Sequence, residues 1–505
     1  MLPFEDYGRR YSYAHELPAR LRTATIDGEE CVGIDNPDRR GSNFHAWEND
    51  LHVAYGLWHY AATWDDGALR AIAEGIARLS LSAPRNGGAF PCVYNFDDNA
   101  FEGTFFWTGR AADPYHGYDT AAMGVTAWWY LYWYEQLVET PRMYDRIVAY
   151  ARFLAGAQDA SGAIPTYFFS DLTPAKQLRA SATTAISGAV LAKVATLTGD
   201  DALTRAAVRA GQFVVDEIVP QLKFDDFETY YSCSPKPLHA IDYWTGIRPH
   251  NNLSIQWTAD LCLALHRLTG DEGWMRTGEY ALGLLSLYQQ VWNPSHLPEY
   301  LYGGFGVMNT DSEWNDGRQA RFVSTYADYY LETGTGDYLE RAVAACRASF
   351  AMMDIPENHE NGINALVMPQ GPGLGYAPEN VHHGGPKPPH ESGEWTGFDW
   401  SSGGALAASA YLERHFGALW LDGAARRATP IDGLAVAVDR WDGVEIDLTV
   451  ASALETLTYP YTRPREALLK GGRLREGTYA VSINGARPMR LTADDLARGI
   501  PLRLP

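Results

Sequence analysis

One short turn recurs along this chain, and it dictates a helical architecture. Leu197-Thr198-Gly199-Asp200, Leu268-Thr269-Gly270-Asp271 and the TGTGD run from Thr333 to Asp337 each separate two apolar stretches of helix length. In each, Gly suits the left-handed C-cap of the first helix because it has no Cβ to clash, and Asp can accept the free amide hydrogens that open the second. The second helices are expected over about 203–218, 274–291 and 338–353. Two further turns keep the arrangement with other letters. Thr63-Trp64-Asp65-Asp66-Gly67 joins helices near 44–63 and 68–82. Glu139-Thr140-Pro141 joins helices near 119–138 and 142–157, with Pro in the first helical turn, where its missing N–H costs nothing. The unit is a helical hairpin followed by a long connection. Five pairs are legible, and Ser401–Phe416 supplies half of a sixth, with either the N-terminal segment or the residues after Phe416 as its partner.

Several helices are apolar on more than one face, as in the Ala-rich stretch Ala180–Ala195, which suits an inner ring covered by an outer one. Short turns at one end put the long connections at the other, over about 84–118, 158–178, 220–249, 293–316 and 354–399. Compact domains seldom keep such loops without a use. After Pro430 the pattern changes to period-two alternation in Leu434-Ala-Val-Ala-Val-Asp and Val444-Glu-Ile-Asp-Leu-Thr-Val. The expected organisation is a helical domain over 1–429 and a small β-rich unit over 430–505, the latter read as an edge-covering or oligomer-forming module rather than a catalytic one.

This layout of hairpins and loops resembles the six-hairpin glycosidase superfamily, over about residues 40–416. The resemblance implies a mostly α fold, an (α/α)6 barrel or toroid, here with a small C-terminal β-rich appendage. It also implies a carbohydrate-active enzyme, since glycoside hydrolases, polysaccharide lyases and sugar epimerases share this architecture; the fold by itself does not choose among them.

Composition narrows the partners. A formal net charge of -21, with no basic stripe, disfavours nucleic acid. The five cysteines are far apart and form no CxxC pair, so neither a disulfide framework nor a zinc ribbon is indicated. No stretch reads as a membrane span or a signal peptide, and a cytoplasmic location is expected. The expected partner is an oligosaccharide substrate, with homo-oligomerisation compatible with the β-rich unit.

Four clusters in the loops carry chemistry. Asn43 to Asp50 offers His45 and Glu48, three residues apart and able to share a helix face. The stretch from Trp107 to Asp119 offers Trp107 and Tyr115 as flat faces for a sugar ring, with His116 and Asp119 for hydroxyls; Asp119 could instead cap the following helix. The richest cluster, from His239 to Asn252, contains His239, Asp242, Tyr243, Trp244, Arg248, His250, Asn251 and Asn252. Arg248, together with Arg179 in the preceding loop, could hold a sugar carboxylate, while the amides bind hydroxyls. The fourth joins Asp311, Glu313, Trp314 and Asp316 to Glu391, Trp395 and Asp399.

Hydrolysis of a glycosidic bond needs a protonated carboxyl at the leaving oxygen and a second carboxylate that serves water or attacks the sugar. A neighbouring Trp can raise a carboxyl pKa by desolvation. In hydrolases of the resembled superfamily the two groups come from different loops of one face. That resemblance selects Glu313 as acid, with Asp242, Glu391 or Asp399 as partner. The alternative of β-elimination would draw on His239, Tyr243, Arg248, His250 and Asn251, and isomerisation of a free sugar would use paired histidines. A non-enzymatic sugar-binding scaffold is the remaining alternative, disfavoured because solenoid loops are short and alike. His382, His383 and His390 with Glu391, or Asp311, Glu313 and Asp316, have donors for a metal, but neither spacing is a metal signature; no cofactor or metal is expected.

Overall fold

Six hairpin pairs close into a double ring in the computed structural model, which describes residues 1–35, 41–43, 50–106, 115–226, 229, 240–293, 295, 300–309, 314–360, 363, 373–381, 401–453 and 467–502. Among the described residues the inner ring consists of Asp50–Trp64, Thr120–Gln136, Thr184–Thr198, Asn252–Thr269, Gln319–Thr333 and Ser402–Phe416, each packed against the next, with the last returning to the first. The outer ring consists of Gly67–Ser82, Pro141–Ala157, Asp201–Phe213, Glu272–Ser286 and Gly336–Ala351, completed by the N-terminal helical run.

Inner and outer helices differ in how much of their circumference is covered. From Asn252 to Leu265 every residue of the fourth inner helix is buried, including Asn252, Ser254, Gln256 and Asp260. The third outer helix buries one stripe, Leu203, Ala206, Ala207, Ala210 and Gly211, at the spacing of a single apolar face. Gly and Ala let the rings approach. A Cβ on Gly188 would meet Leu261 of the neighbouring inner helix at 3.0 Å and Ala210 of the outer ring at 2.9 Å.

The turns form as their chemistry predicts. Gly199, Gly270 and Gly334 end their helices at φ 68°, 72° and 73°, where an L side chain is strained. Asp200 accepts from the amides of Ala202 and Leu203, Asp271 from that of Gly273, and Thr140 from that of Met143. The third turn departs from expectation: Thr335 holds the N-cap position, and Asp337 falls inside the first helical turn.

The partner of the sixth inner helix is the N-terminal segment. Phe4–Tyr7, Gly8–Glu16 and Leu17–Arg20 run on as one helix, wound as a π-helix in its middle. Gly8 lies against Leu406, and Ser12 Oγ meets Ser402 Oγ at 3.0 Å. The chain after Phe416 instead enters a β-rich unit whose first strand is Leu419–Asp422. Two four-stranded sheets enclose a separate core that includes Leu421, Ile446, Leu448, Leu469 and Val481. This unit rests on the short-turn end of the toroid: Trp420 Nε1 donates to Tyr330 Oη at 2.7 Å, and Tyr330 Oη donates to Asp422 at 2.7 Å.

Because every inner helix follows a long connection, all six N-termini open at one end, which forms the mouth of the ring.

Candidate active site

The mouth is braced by short strands and by polar side chains that start the inner helices. Asn251 caps the fourth inner helix, its Oδ1 accepting from the Leu253 amide at 2.8 Å. Asn252 Nδ2 donates to the Gly306 carbonyl at 2.6 Å, and the Asn252 amide donates to the Val307 carbonyl. Asn309 completes the brace: its Oδ1 accepts from the His250 amide at 3.0 Å, and its Nδ2 donates to the Arg248 carbonyl at 2.8 Å. The connections before the fourth and fifth inner helices are thus laced together. The His250 ring is buried beside Phe224 and the Tyr288 hydroxyl, 3.3 Å from its Nδ1, and burial pushes its pKa down to about 4.

Asp119 caps the second inner helix through the Ala121 amide at 2.7 Å. It is wholly buried, and desolvation raises its carboxyl to about 7 despite that hydrogen bond. A second ribbon pairs Asn315 with Val381 and Asp316 with Asn380. Asp316 accepts from Arg318 Nε at 2.7 Å, both side chains being buried, and Trp314 packs half-buried against the core beside them. The Gly317 amide donates to the Glu379 carbonyl at 2.7 Å, and a Cβ on Gly317 would stand 2.5 Å from the Cβ of Ser401, which opens the sixth inner helix.

Among the described residues, Asp242, Tyr243 and Trp244 lie apart from this frame. Asp242 turns its carboxylate onto its own turn, accepting from the amides of Trp244 and Thr245 and from the Thr245 hydroxyl at 2.7 Å. Those bonds hold its pKa below the usual carboxylate range. Tyr243 and Trp244 are each 88% exposed, packed edge to face against each other. Arg248 is half-buried and Arg179 is exposed. Tyr115 and His116 belong to the strand Tyr115–Asp119, and their side chains lie outside the described set. His45, Glu48, Trp107, His239, Asp311, Glu313, Glu391, Trp395 and Asp399 lie outside the described residues.

The floor of the mouth is made of side chains that loop-centred reading passed over. Trp128 and Trp129 of the second inner helix, Gln256, Trp257 and Asp260 of the fourth and Arg321 of the fifth surround a small cavity of about 20 Å³ in the lumen. His52, from the first inner helix, packs against Trp129 with ring centroids 5.5 Å apart and the planes tilted by 34°. Burial, with the Arg321 cation adding to it, holds the His52 imidazole well below its ordinary pKa. Arg321 itself is pushed down to about 9, by desolvation first and by Arg318 second. Its Nη2 is sealed from water without a hydrogen-bond partner among the described residues, as is Gln256 Oε1. The signal in the sequence was a charge isolated in an otherwise uncharged opening, Gln319-Ala-Arg-Phe-Val-Ser-Thr.

A larger cavity, about 180 Å³, opens on the short-turn side of the lumen between Glu135, Lys193, Asp260, Arg267 and Asp328. Its charges are largely matched: Lys193 lies 3.0 Å from Glu135, and Arg267 reaches Glu332 at 2.8 Å. It lies away from the loop ribbons and does not share their frame.

No protein-family model and no curated protein matches this sequence. Solved structures do match in fold. A sugar epimerase from a ruminal bacterium superposes with a TM-score of 0.50 at 8% identity, over 81% of this chain and 98% of that one. The cellobiose 2-epimerase of Bacillus thermoamylovorans gives 0.51 at 10% identity, over 81% and 98%. The GH76 α-mannanase of Bacteroides thetaiotaomicron gives 0.50 at 13% identity, over 81% and 94%. In fold, this chain is an (α/α)6 toroid like these three structures.

Proposed function

We propose that this chain is a carbohydrate-active enzyme, a glycoside hydrolase that receives an oligosaccharide at the loop-side mouth and cleaves it with two carboxyl groups. The observation that carries this reading is the ribbon joining Asn315–Asp316 to Asn380–Val381, with Gly317 against Ser401. Glu313 stands directly before Trp314 in the chain, and the stretch bearing Glu391 and Asp399 begins after Val381 and ends at Ser401. Chain connectivity therefore starts both acid-bearing segments from one braced point beside the lumen. Glu313 is assigned as general acid, with Asp399 or Glu391 as the second carboxylate. Gln256 Oε1, on the wall of the lumen cavity, provides an acceptor for a hydroxyl.

The test is incubation with a panel of neutral and uronate-bearing oligosaccharides, read for new reducing ends, for near-ultraviolet absorbance and for sugar identity. Hydrolysis gives reducing ends without absorbance, and Glu313→Gln lowers kcat by about 10²–10⁴-fold. An absorbing, unsaturated product would replace this reading with β-elimination. A second reading, isomerisation of a sugar, draws on the imidazoles of His52 and His250, which burial keeps neutral but also makes weaker bases. It predicts a changed sugar with no bond cleaved between residues.

A further inference from the structure

We infer that the site reads an acidic sugar, and that Arg321 binds the substrate's carboxylate. The inference deepens the proposed function and rests on the same mouth and lumen.

A guanidinium held in a lumen among tryptophans has lost water and must find an anion or carry the desolvation cost uncompensated. Arg321 is half-buried, and its Nη2 is sealed from water with no hydrogen-bond partner among the described residues. Its neighbour Arg318 is matched by Asp316 at 2.7 Å and approaches Glu379 at 3.9 Å, but no carboxylate among the described residues pairs with Arg321. Asp260 lines the same small cavity and forms no ion pair with it; its carboxylate accepts instead from the Thr325 hydroxyl at 2.9 Å. His52, the ring nearest in electrostatic effect, is neutral and offers no charge.

The dimensions and the charge count favour a carboxylate. The cavity, about 20 Å³, has room for one or two water-sized groups, too little for a pyranose ring. A pendant carboxylate fits that room while its ring stays toward the mouth. One guanidinium matches one negative charge, and its planar fork can meet the two oxygens of a carboxylate. A sulfate or phosphate ester would bring more oxygens, and at neutral pH more charge in the phosphate case, beside the Asp260 carboxyl. Gln256 Oε1, the second unpartnered polar atom, is an acceptor and would take a hydroxyl hydrogen from the same sugar.

The experiment compares a uronate-terminated oligosaccharide with its carboxyl-reduced neutral counterpart, using wild type and Arg321→Met. In wild type, kcat/KM favours the acidic substrate by about 10²-fold, the scale on which a buried charge pair discriminates. In R321M that ratio collapses toward about 1, while Arg321→Lys restores part of it. A cooperative thermal transition of R321M, at or above the wild-type melting temperature, shows that the variant is folded. Equal use of both substrates by wild type, or an unchanged ratio in R321M, overturns the inference. Calorimetric binding of free glucuronate and galacturonate, against glucose, galactose and inorganic sulfate, does not depend on turnover. Uronate binding lost in R321M supports the inference even where no glycosidic bond is cleaved, and then only the hydrolytic reading falls. Tighter binding of sulfate than of uronate overturns the carboxylate assignment.

Discussion

Asp316 accepts a hydrogen bond from Arg318 Nε at 2.7 Å with both side chains almost wholly out of solvent. This pair sits between the ribbon to Asn380 and the start of the fifth inner helix, so it fixes the frame of the mouth. Asp316→Ala takes the 2.7 Å partner from the buried Arg318, whose other carboxylate contact among the described residues is Glu379 at 3.9 Å. The expected loss is about 3–5 kcal/mol of stability, the cost of breaking a buried pair from one side, measured by urea denaturation. Asp316→Asn, which keeps an acceptor oxygen, loses less.

Asp260 gives the protein a pH-dependent stability of predictable sign. Burial raises its carboxyl to about 7, with Asp328 adding to the shift. The folded state therefore holds this proton more tightly than the unfolded chain does. Its contribution favours folding under acid conditions and is lost as pH rises from about 4 to about 7. Asp260→Asn removes the ionisation, so its melting temperature gains on wild type more at pH 8 than at pH 5. A gain that is equal at both pH values would contradict this account. Asp119 and Asp432, also raised to about 7, leave a residual dependence of the same sign.

His52 is expected to stay neutral throughout pH 5–8, because burial and the Arg321 cation both disfavour its charged form. Ring-nitrogen NMR should show no titration in that window. Arg321→Met removes the second cause, and the His52 pKa then moves upward; an unchanged value would mean that desolvation alone sets it.

The N-terminal segment completes the outer ring, and its anchors should matter as core residues do. Phe4 is 1% exposed and stacks on Phe350 of the fifth outer helix at 5.1 Å between ring centroids. Phe4→Ala is expected to cost about 3–5 kcal/mol, the range for truncating a buried aromatic. Thermal unfolding provides the check, and a cost near zero would show that the sixth pair does not depend on this contact.

The ring was legible because its instructions are local. Gly199, Gly270 and Gly334 are needed at positive φ whatever surrounds them, and Asp200 and Asp271 cap their helices through amides two residues away. Those signals determine hairpins, and the alternation of short and long connections determines that the inner helices all open at one end. The partner of Ser402–Phe416 was not local: the chain after Phe416 and the segment before Leu21 were both available, and packing of Gly8 on Leu406 decides between them.

The site followed the same division. Sequence alone identified loops dense in carboxylates, aromatics and imidazoles, and it offered Asp119 as a cap of the helix that follows. Side-chain direction was decided by the tertiary structure. Asp242, Tyr243 and Trp244 turn outward on a self-contained turn, whereas Arg321 and His52, each near the start of an inner helix, turn into the lumen beside Trp129. Periodicity says which residues share a helix face; only closure of the ring says which face looks inward, because burial there depends on helices more than a hundred residues apart.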